Sequence, residues 1–318
     1  MEELISEIFT PIFLAILKVF LVAAFAGLLV RIKWITQENV NTLSKVTINV
    51  FLPCLIFSKV IQTFDPVAMP FWWTLPLAGM AMNFFGLGLA WLFFFKETPQ
   101  KNNMIALASL QNVAYLVLPV VEVAYPENFD LMAVYIFLLV LAINPVLWSV
   151  GKMLMSHQKI VFSFRSFLTP PFLINIVAIL VVLVRLDTYI PALVNESITL
   201  LGEATIPVVT FVLGATLGSI SLTKWPTFKD SFRVMSVKFL FIPVFTLLAL
   251  KLFAINESEP LLADLFMIQA AAAPATALIL QVRSYGGDLQ QTGSLVLISY
   301  GLCLFAIPGW VAVLHFFF

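Results

Sequence analysis

Long apolar stretches separated by short polar segments dominate the amino-acid sequence. Ten of these stretches approach the roughly 20 residues that a helix needs to cross the hydrocarbon core of a bilayer. They cover residues 8–30, 46–61, 70–95, 104–124 and 131–155, followed by residues 170–184, 198–220, 234–254, 262–282 and 290–317. The alternating ten-residue segments typical of outer-membrane barrels do not occur in the sequence. The pattern therefore predicts an all-α integral membrane protein with ten transmembrane spans, numbered here 1 to 10.

The composition supports this class of fold. Hydrophobic residues make up 61% of the 318 positions and charged residues 11%, whereas soluble domains are about 25% charged. The 17 basic and 17 acidic residues cancel, which excludes the basic field of a nucleic-acid-binding protein. Cys54 and Cys303 both lie in apolar stretches, and we expect buried thiols rather than a disulfide or a metal site.

The charges of the connecting loops predict the orientation. Alternate loops hold 12 of the 17 basic residues: Arg31, Lys33, Lys45, Lys96, Lys101, Lys152, Lys159, Arg165, Lys224, Lys229, Arg233 and Arg283. By the positive-inside rule these loops face the cytoplasm. We therefore expect a multi-pass protein of the plasma (inner) membrane with both termini on the non-cytoplasmic side. Lys18 and Lys238 lie inside spans 1 and 8.

The order of spans and prolines predicts two halves, residues 1–160 and 161–318. Because each half has five spans, a duplicated second half is inserted upside down, as in many secondary carriers. Prolines recur at equivalent places in spans 2 and 7, 4 and 9, and 5 and 10: Pro53 and Pro207, Pro119 and Pro274, Pro145 and Pro308. The prediction is a 5+5 inverted repeat.

Spans 4 and 9 hold the predicted site. Pro119 and Pro274 predict breaks in these helices, since proline removes a backbone hydrogen bond and clashes with the preceding turn. Polar side chains close to the two prolines are Gln111, Asn112, Gln269 and Thr276. If the broken helices cross, two half-helix N-termini form an anion site without a buried basic residue. The alternative is that both prolines are ordinary kinks.

Four segments resemble the auxin efflux carrier family, which includes plant auxin carriers and bacterial permeases for small organic anions. They are NVAYLVLP (residues 112–119), TINVFLPCLIF (47–57), GEATIPVVTFVLGATL (202–217), and AAP (272–274) leading to YGGD (285–288). The resemblance implies proline-broken crossover helices at spans 4 and 9. It also implies a dimerising scaffold of spans 1, 2, 6 and 7, and a moving elevator domain of spans 3–5 and 8–10. Ala277 stands where family members often have a second Asn, so Thr276 or Gln269 would substitute.

An ionisable residue inside a span requires a partner or a function. Lys18 and Glu203 are expected to pair inside the scaffold, with a direct role in substrate binding as the alternative. Glu122 follows Pro119 by one helical turn and is either solvated or the carboxylate that couples transport to protons. His157 and His315 have no metal-binding neighbours in the sequence.

These observations predict a secondary carrier of small organic anions, such as auxin-like or carboxylate substrates, that works by elevator-type alternating access. The partners would be the lipid bilayer and a second copy of the chain in a homodimer. A phosphate loop, paired helical histidines and a nucleophile elbow are all missing from the sequence, so no enzyme, cofactor or metal is expected. Coupling to protons or sodium ions is left open. The alternatives are a membrane receptor or sensor on a carrier fold, and a carrier of a cation or neutral solute.

Overall fold

The structure, a computed structural model, describes residues 5–97, 101–156, 168–220, 225–285 and 288–317. These residues are mostly helical and form no β-strand. The first helices are α1 (Ser6–Arg31), α2 (Gln37–Thr63), α3 (Thr74–Glu97), α4 (Asn102–Ser109), α5 (Val113–Ala124) and α6 (Pro126–Met155). They are followed by α7 (Pro170–Leu183), α8 (Ala192–Gly218), α9 (Phe228–Leu252), α10 (Pro260–Ala270), α11 (Ala277–Tyr285) and α12 (Leu289–Phe317).

The helix lengths confirm an all-helical membrane protein. Seven helices of the described residues are long and apolar enough to cross a bilayer, namely α1, α2, α3, α6, α8, α9 and α12. The helices α5, α7 and α10 are apolar but shorter, within 10–17 residues. Predicted span 4 is divided into α4 and α5, and predicted span 9 into α10 and α11. The count of ten spans and the inverted repeat stay predictions.

Several helices begin earlier than the apolar stretches predict. Helix α2 begins at Gln37 rather than at residue 46, because Thr36 and Asn39 cap its polar first turn reciprocally. Helix α9 begins at Phe228 rather than at residue 234, with the Thr227 side chain accepting a hydrogen bond from the Asp230 amide at 3.2 Å. Side-chain caps stabilise a helix start whatever its hydropathy, so an apolar stretch marks only part of each helix.

Helices α1 and α8 make the closest backbone contact. A Cβ atom added to Gly214 would collide with the backbone of Ala23, and one added to Gly218 would collide with the backbone of Gly27. In a bilayer such small residues allow helices to associate by close packing. The pair α1 and α8 is therefore held together by glycines.

The helices pack in two sets. In the first set, α2 packs against α7 and α8, and α1 packs against α8. In the second set, α3 packs against α4 and α6, while α10 packs against α9 and α12. The sets meet where α1 contacts α5 and α12 and where α2 contacts α6. This meeting region contains the candidate site.

Ion pairs join helix ends at one end of the molecule, where the sequence places the basic loops. Glu97 at the end of α3 accepts a hydrogen bond from Arg233 of α9 at 2.7 Å. Lys101 bridges Glu97 and Asp230, with 2.7 Å between its Nζ and the Asp230 carboxylate. The Asp230 side chain is only 1% exposed. This network fixes α3, α4 and α9 relative to one another.

A second group of polar contacts lies at the opposite end. Lys59 of α2 and Asp130 of α6 form an ion pair of 2.6 Å. Asp264 of α10 accepts a hydrogen bond from the Tyr125 hydroxyl at 2.9 Å and lies 2.8 Å from His315 Nε2. The Lys59 pair joins the two sets of helices, whereas the Asp264 contacts lie within the second set.

The expected ion pair between Lys18 and Glu203 is wrong. Both side chains are exposed, and no salt bridge joins them in the described part of the chain. Helix α1 uses Ala23 and Gly27 to contact α8. Lys18 precedes Gly27 by about two and a half helical turns, which puts it on the opposite face of α1. The close glycine contact therefore turns Lys18 away from α8.

Candidate functional site

The two interrupted helices meet at their interruptions. Residues 110–112 connect α4 to α5, and residues 271–276 connect α10 to α11. The Asn112 amide donates to the Ala273 carbonyl at 2.8 Å, and the Ala275 amide donates to the Leu110 carbonyl at 3.0 Å. These bonds form an isolated antiparallel bridge between Gln111 and Pro274. Each unwound segment thus satisfies backbone groups of the other, as buried non-helical backbone requires.

The Asn112 side chain holds this arrangement in place. Its Oδ1 accepts a hydrogen bond from the Tyr115 amide at 3.2 Å, which caps the start of α5. Its Nδ2 donates to the Tyr300 hydroxyl of α12 at 2.6 Å. That hydroxyl in turn donates to the Pro274 carbonyl at 3.3 Å. Asn112 and Tyr300 therefore tie both interruptions to α12.

The sequence argument did not identify Tyr300. The available signal was a tyrosine in the middle of an apolar helix, and its buried hydroxyl needs a hydrogen-bond partner. The partners, Asn112 and Pro274, lie far from it in the sequence and are known only from the fold.

A cavity of about 130 Å³ lies where the two sets of helices meet. Its walls are mostly apolar and include Ile56, Phe137 and Val212. The polar side chains that line it are Ser44, Gln111, Asn112, Tyr115, Asn144, Trp148, Thr169, Thr216 and Thr276. Among its described lining residues there is no Asp, Glu, Lys, Arg or His. Any charge that the cavity recognises must therefore be met by helix ends or neutral polar groups.

The helices α5 and α11 both begin at this cavity. Residues 113–115 at the start of α5 and residues 275–277 before and at the start of α11 line it. The first amides of a helix have no partner within the helix, and a helix N-terminus carries roughly half a positive charge. The geometry provides positive potential from two helix starts in an otherwise uncharged cavity.

Gln111 and Thr276 line this cavity next to the helix starts. Gln111 is 1% exposed, and neither its Nε2 nor its Oε1 has a hydrogen-bond partner in the part of the chain that the structure describes. A buried amide without partners is costly, so Gln111 is suited to bind a ligand or water in the cavity. Thr276 contributes a hydroxyl from the other interruption.

The prediction of a break at Pro119 is wrong. The interruption lies at residues 110–112, and Pro119 is buried inside the helical segment Val113–Ala124, away from the cavity. Residues Val113–Val117 form a π-helical turn directly before it, and the Leu118 amide bonds to the Val113 carbonyl. A π turn changes the local hydrogen-bond register, so the missing amide of Pro119 is accommodated without ending the helix. Pro274, in contrast, lies within an interruption.

Gln269 and Ala277 occupy different sides of the second interruption. Gln269 is 1% exposed, its amide atoms have no partner among the described residues, and it does not line the cavity. Ala277, where the family often has Asn, does line it. The structure therefore brings together Gln111, Asn112 and Thr276 at the cavity, with Pro274 behind them, and leaves Gln269 outside.

The remaining ionisable candidates also lie away from the cavity. Glu122 is partly buried near the end of α5, and its charge interacts with that of Lys59. Lys18 and Glu203 are exposed on α1 and α8. None of these three lines the cavity.

The described residues contain no group of three or more His, Cys, Asp or Glu side chains that could hold a metal ion. His157 lies outside the described residues. His315 Nε2 lies 2.8 Å from one carboxylate oxygen of Asp264, a residue far from it in the sequence. This contact between a ring nitrogen and one carboxylate joins α10 and α12.

Sequence comparison agrees with this architecture. A family model described as membrane transport protein matches residues 11–162 and 154–311, and so covers most of the chain. No curated protein matches the sequence significantly. The chain therefore belongs to the auxin efflux carrier family of membrane transport proteins.

Proposed function

We propose that the protein is a secondary transporter of small organic anions, with its binding site at the crossing of the two interrupted helices. One observation carries the proposal: the starts of α5 and α11 and the unpartnered Gln111 amide all reach one cavity without an acidic or basic lining residue. Helix N-termini favour anions. A carboxylate at this place would receive hydrogen bonds from groups that the protein leaves unpaired.

The cavity walls favour an anion with an apolar body. Phe137, Trp148 and Ile143 are among the side chains around the polar end. Ligand sites of this kind combine apolar walls with a few placed polar groups. Auxin-like acids and other carboxylates are consistent with these walls, whereas a cation would face positive helix ends.

The proposed architecture is a ten-span, 5+5 inverted repeat in a homodimer. In it α4 and α5 together form span 4, and α10 and α11 together form span 9. The scaffold would consist of α1, α2, α7 and α8, and the moving domain of α3–α6 and α9–α12. The packing of the helices in these same two sets supports the division.

We further propose that this conformation is open toward the cytoplasm. The cavity extends from the crossing to Ser44, Thr169 and Thr216, which lie near the helix ends next to the basic loops. At the opposite end the Lys59–Asp130 ion pair joins the two sets. Moving one set against the other would open the second end and close the first, as alternating access requires.

Uptake by proteoliposomes tests the function. Radiolabelled indole-3-acetate, benzoate and malonate serve as probes, and we expect saturable uptake of at least one. Gln111→Ala should raise its KM about 10-fold or more, because a hydrogen bond to a charged group contributes about 1.5–3 kcal/mol. Gln37→Ala removes a partly exposed amide of α2 that does not line the cavity and serves as the control, with uptake unchanged.

Two results would contradict the proposal. Thermal stabilisation of the purified protein by cations or neutral solutes, but by none of the three anions, would reject an anion site. Tight binding of an anion with no flux in proteoliposomes would instead indicate a receptor or sensor on the same fold.

A further inference from the structure

Lys238 is a buried amine that forms no ion pair with a carboxylate in the described segments of the chain. It lies inside α9 with 0% exposure, and its Nζ has no hydrogen-bond partner among the described residues. An ammonium ion buried without an anion is strongly unfavourable. Ionisable residues inside a membrane protein commonly mark ion or proton pathways. Lys238 therefore requires an explanation that the binding cavity alone does not provide.

The helices packed against this part of α9 supply almost no charge. Helix α3 carries no ionisable side chain before Lys96, and α4 carries none between Asn102 and Ser109. The other ionisable residues of α9 lie toward its two ends and are Lys229, Asp230, Arg233 and Lys251. Asp230 and Arg233 are held in the ion pairs with Lys101 and Glu97. In α10, Asp264 is bonded to Tyr125 and His315 at the other end of the molecule.

Helix α12 faces Lys238 with Cys303. The two side chains interact electrostatically, and one turn earlier on each helix the Ser299 hydroxyl contacts the Met235 sulfur at 3.6 Å. Between Cys303 and the end of α12 at Phe317, the one other ionisable side chain is that of His315. A thiol is a weak partner for an ammonium ion, so α12 provides no fixed anion either.

Lys238 is nevertheless connected to the crossing of the interrupted helices. The Cys303 sulfur contacts the Ala273 amide and donates to the Tyr300 carbonyl at 3.2 Å. The Ala273 carbonyl accepts the Asn112 amide at 2.8 Å. Asn112 lines the cavity, whereas Ala273, Cys303 and Lys238 do not. A chain of contacts through Cys303 and Ala273 thus links the amine to the crossing where the anion would bind.

We propose that Lys238 carries the proton that crosses the membrane together with the substrate anion, an inference that rests on the function proposed above. With the cavity empty the amine is neutral, because no anion faces it. An anion at the starts of α5 and α11 favours the ammonium form, and the amine takes one proton from water on the open side. After the change of access the anion leaves, and the ammonium returns its proton to water on the new side.

This scheme balances charge during the movement. Anion and proton together are neutral, so the moving set of helices carries no additional net charge past the lipid. Charged groups are costly at the bilayer centre, and attraction between opposite charges is strong where water is excluded. The site would thus bind anion and proton cooperatively, each favouring the other.

Proteoliposomes test the coupling with the radiolabelled monovalent anions indole-3-acetate and benzoate as probes and a pH-sensitive dye inside. In the wild type, anion entry should be accompanied by one proton each, and an inside-alkaline pH gradient should drive it. In Lys238→Met, proton entry should fall to background, and membrane potential rather than the pH gradient should affect anion uptake. Lys251→Met removes an exposed lysine of the same helix and should leave proton entry unchanged.

Proton entry at the wild-type ratio in Lys238→Met would overturn the proposal. If the wild type takes up neither probe, the anion function fails for these substrates, and the protonation of Lys238 is decided by a second measurement that needs no substrate.

That measurement compares melting temperatures of wild type and Lys238→Met in detergent between about pH 6 and pH 10. A buried neutral amine binds fewer protons in the folded state than in the unfolded state, so its presence makes the folding free energy more favourable as pH rises. We expect the melting temperature of the wild type to rise relative to Lys238→Met with increasing pH. A difference that stays constant over the whole range would show that the amine does not change protonation and would reject the proposal.

Discussion

Asn112 and Gln111 are neighbours in the first interruption, but their amides have different surroundings. Both side-chain ends of Asn112 are bonded within the protein, to the Tyr115 amide and to the Tyr300 hydroxyl. Both ends of the Gln111 amide lack such bonds within the residues that the structure describes. A ligand that bonds to Gln111 breaks no side-chain hydrogen bond of the described protein, whereas one that competes for Asn112 must break at least one. We therefore propose that Gln111 contacts the ligand and that Asn112 maintains the geometry of the interruption.

The Tyr300 hydroxyl offers a direct test of this division. Tyr300→Phe leaves the Asn112 Nδ2 without its acceptor in a buried place, which costs about 1–3 kcal/mol of unfolding free energy. We expect a lower melting temperature in detergent and weaker anion binding together. Tyr189→Phe, at an exposed tyrosine, should change neither quantity. Unaltered stability in Tyr300→Phe would show that the bond to α12 does not hold the crossing.

At the scale of helices, the two interruptions arise from different local chemistry. The second contains Pro274, whereas the first has no proline and is stabilised by the Asn112 cap and by backbone bonds to the second. Pro119, the proline nearest to the first interruption, lies inside α5 shortly after a π-helical turn. Each interruption therefore depends on the other for its backbone partners, and neither is expected to form alone.

The glycine contact between α1 and α8 predicts that a larger side chain at this place disrupts the packing of the two helices. Gly214→Val places a branched side chain against the backbone of Ala23, which cannot move aside as a flexible side chain would. Such overpacking costs about 1–3 kcal/mol or more. We expect a much lower yield of monodisperse protein after purification. Gly88→Val adds the same side chain in α3 where nothing lies within 4 Å, and should give the wild-type yield.

Hydropathy predicted the helical membrane fold because burial in lipid leaves an unambiguous apolar pattern. Helix starts were missed where polar caps extend a helix, as at Thr36 and Thr227. The residue types of the site were recognisable as well, since polar groups near proline in a span are rare. The sequence did not reveal the position of the first interruption or the partners of Tyr300, because both depend on hydrogen bonds between segments far apart in the sequence.

At the scale of the molecule, the two ends differ in how they are closed. The cavity approaches the end with the basic loops, while the ion pair between Lys59 of α2 and Asp130 of α6 joins the two sets of helices at the other end. In the alternating-access cycle proposed above, the sets move against each other and this ion pair breaks when the second end opens. On that proposal the pair favours the conformation described here over the alternative one.

Weakening the ion pair should therefore shift the equilibrium toward the alternative conformation. A partly exposed pair contributes about 0.2–1 kcal/mol, which corresponds to an increase of about 1.4- to 5-fold in the population of the other state. The measurement is the rate at which a membrane-impermeant maleimide labels Ala114→Cys from the side opposite the basic loops, in protein with Cys54 and Cys303 replaced by Ala. Lys59→Met and Asp130→Asn should each accelerate this labelling by that factor.

Two further variants make the result specific to the pair. Exchanging the charges, with Lys59→Asp and Asp130→Lys in one protein, restores the attraction and should return labelling close to the original rate. Lys33→Met removes an exposed lysine at the opposite end and should have no effect. Unchanged labelling in Lys59→Met and Asp130→Asn would mean that the pair persists in both conformations. The closure of this end would then have to come from apolar packing between α2 and α6 alone.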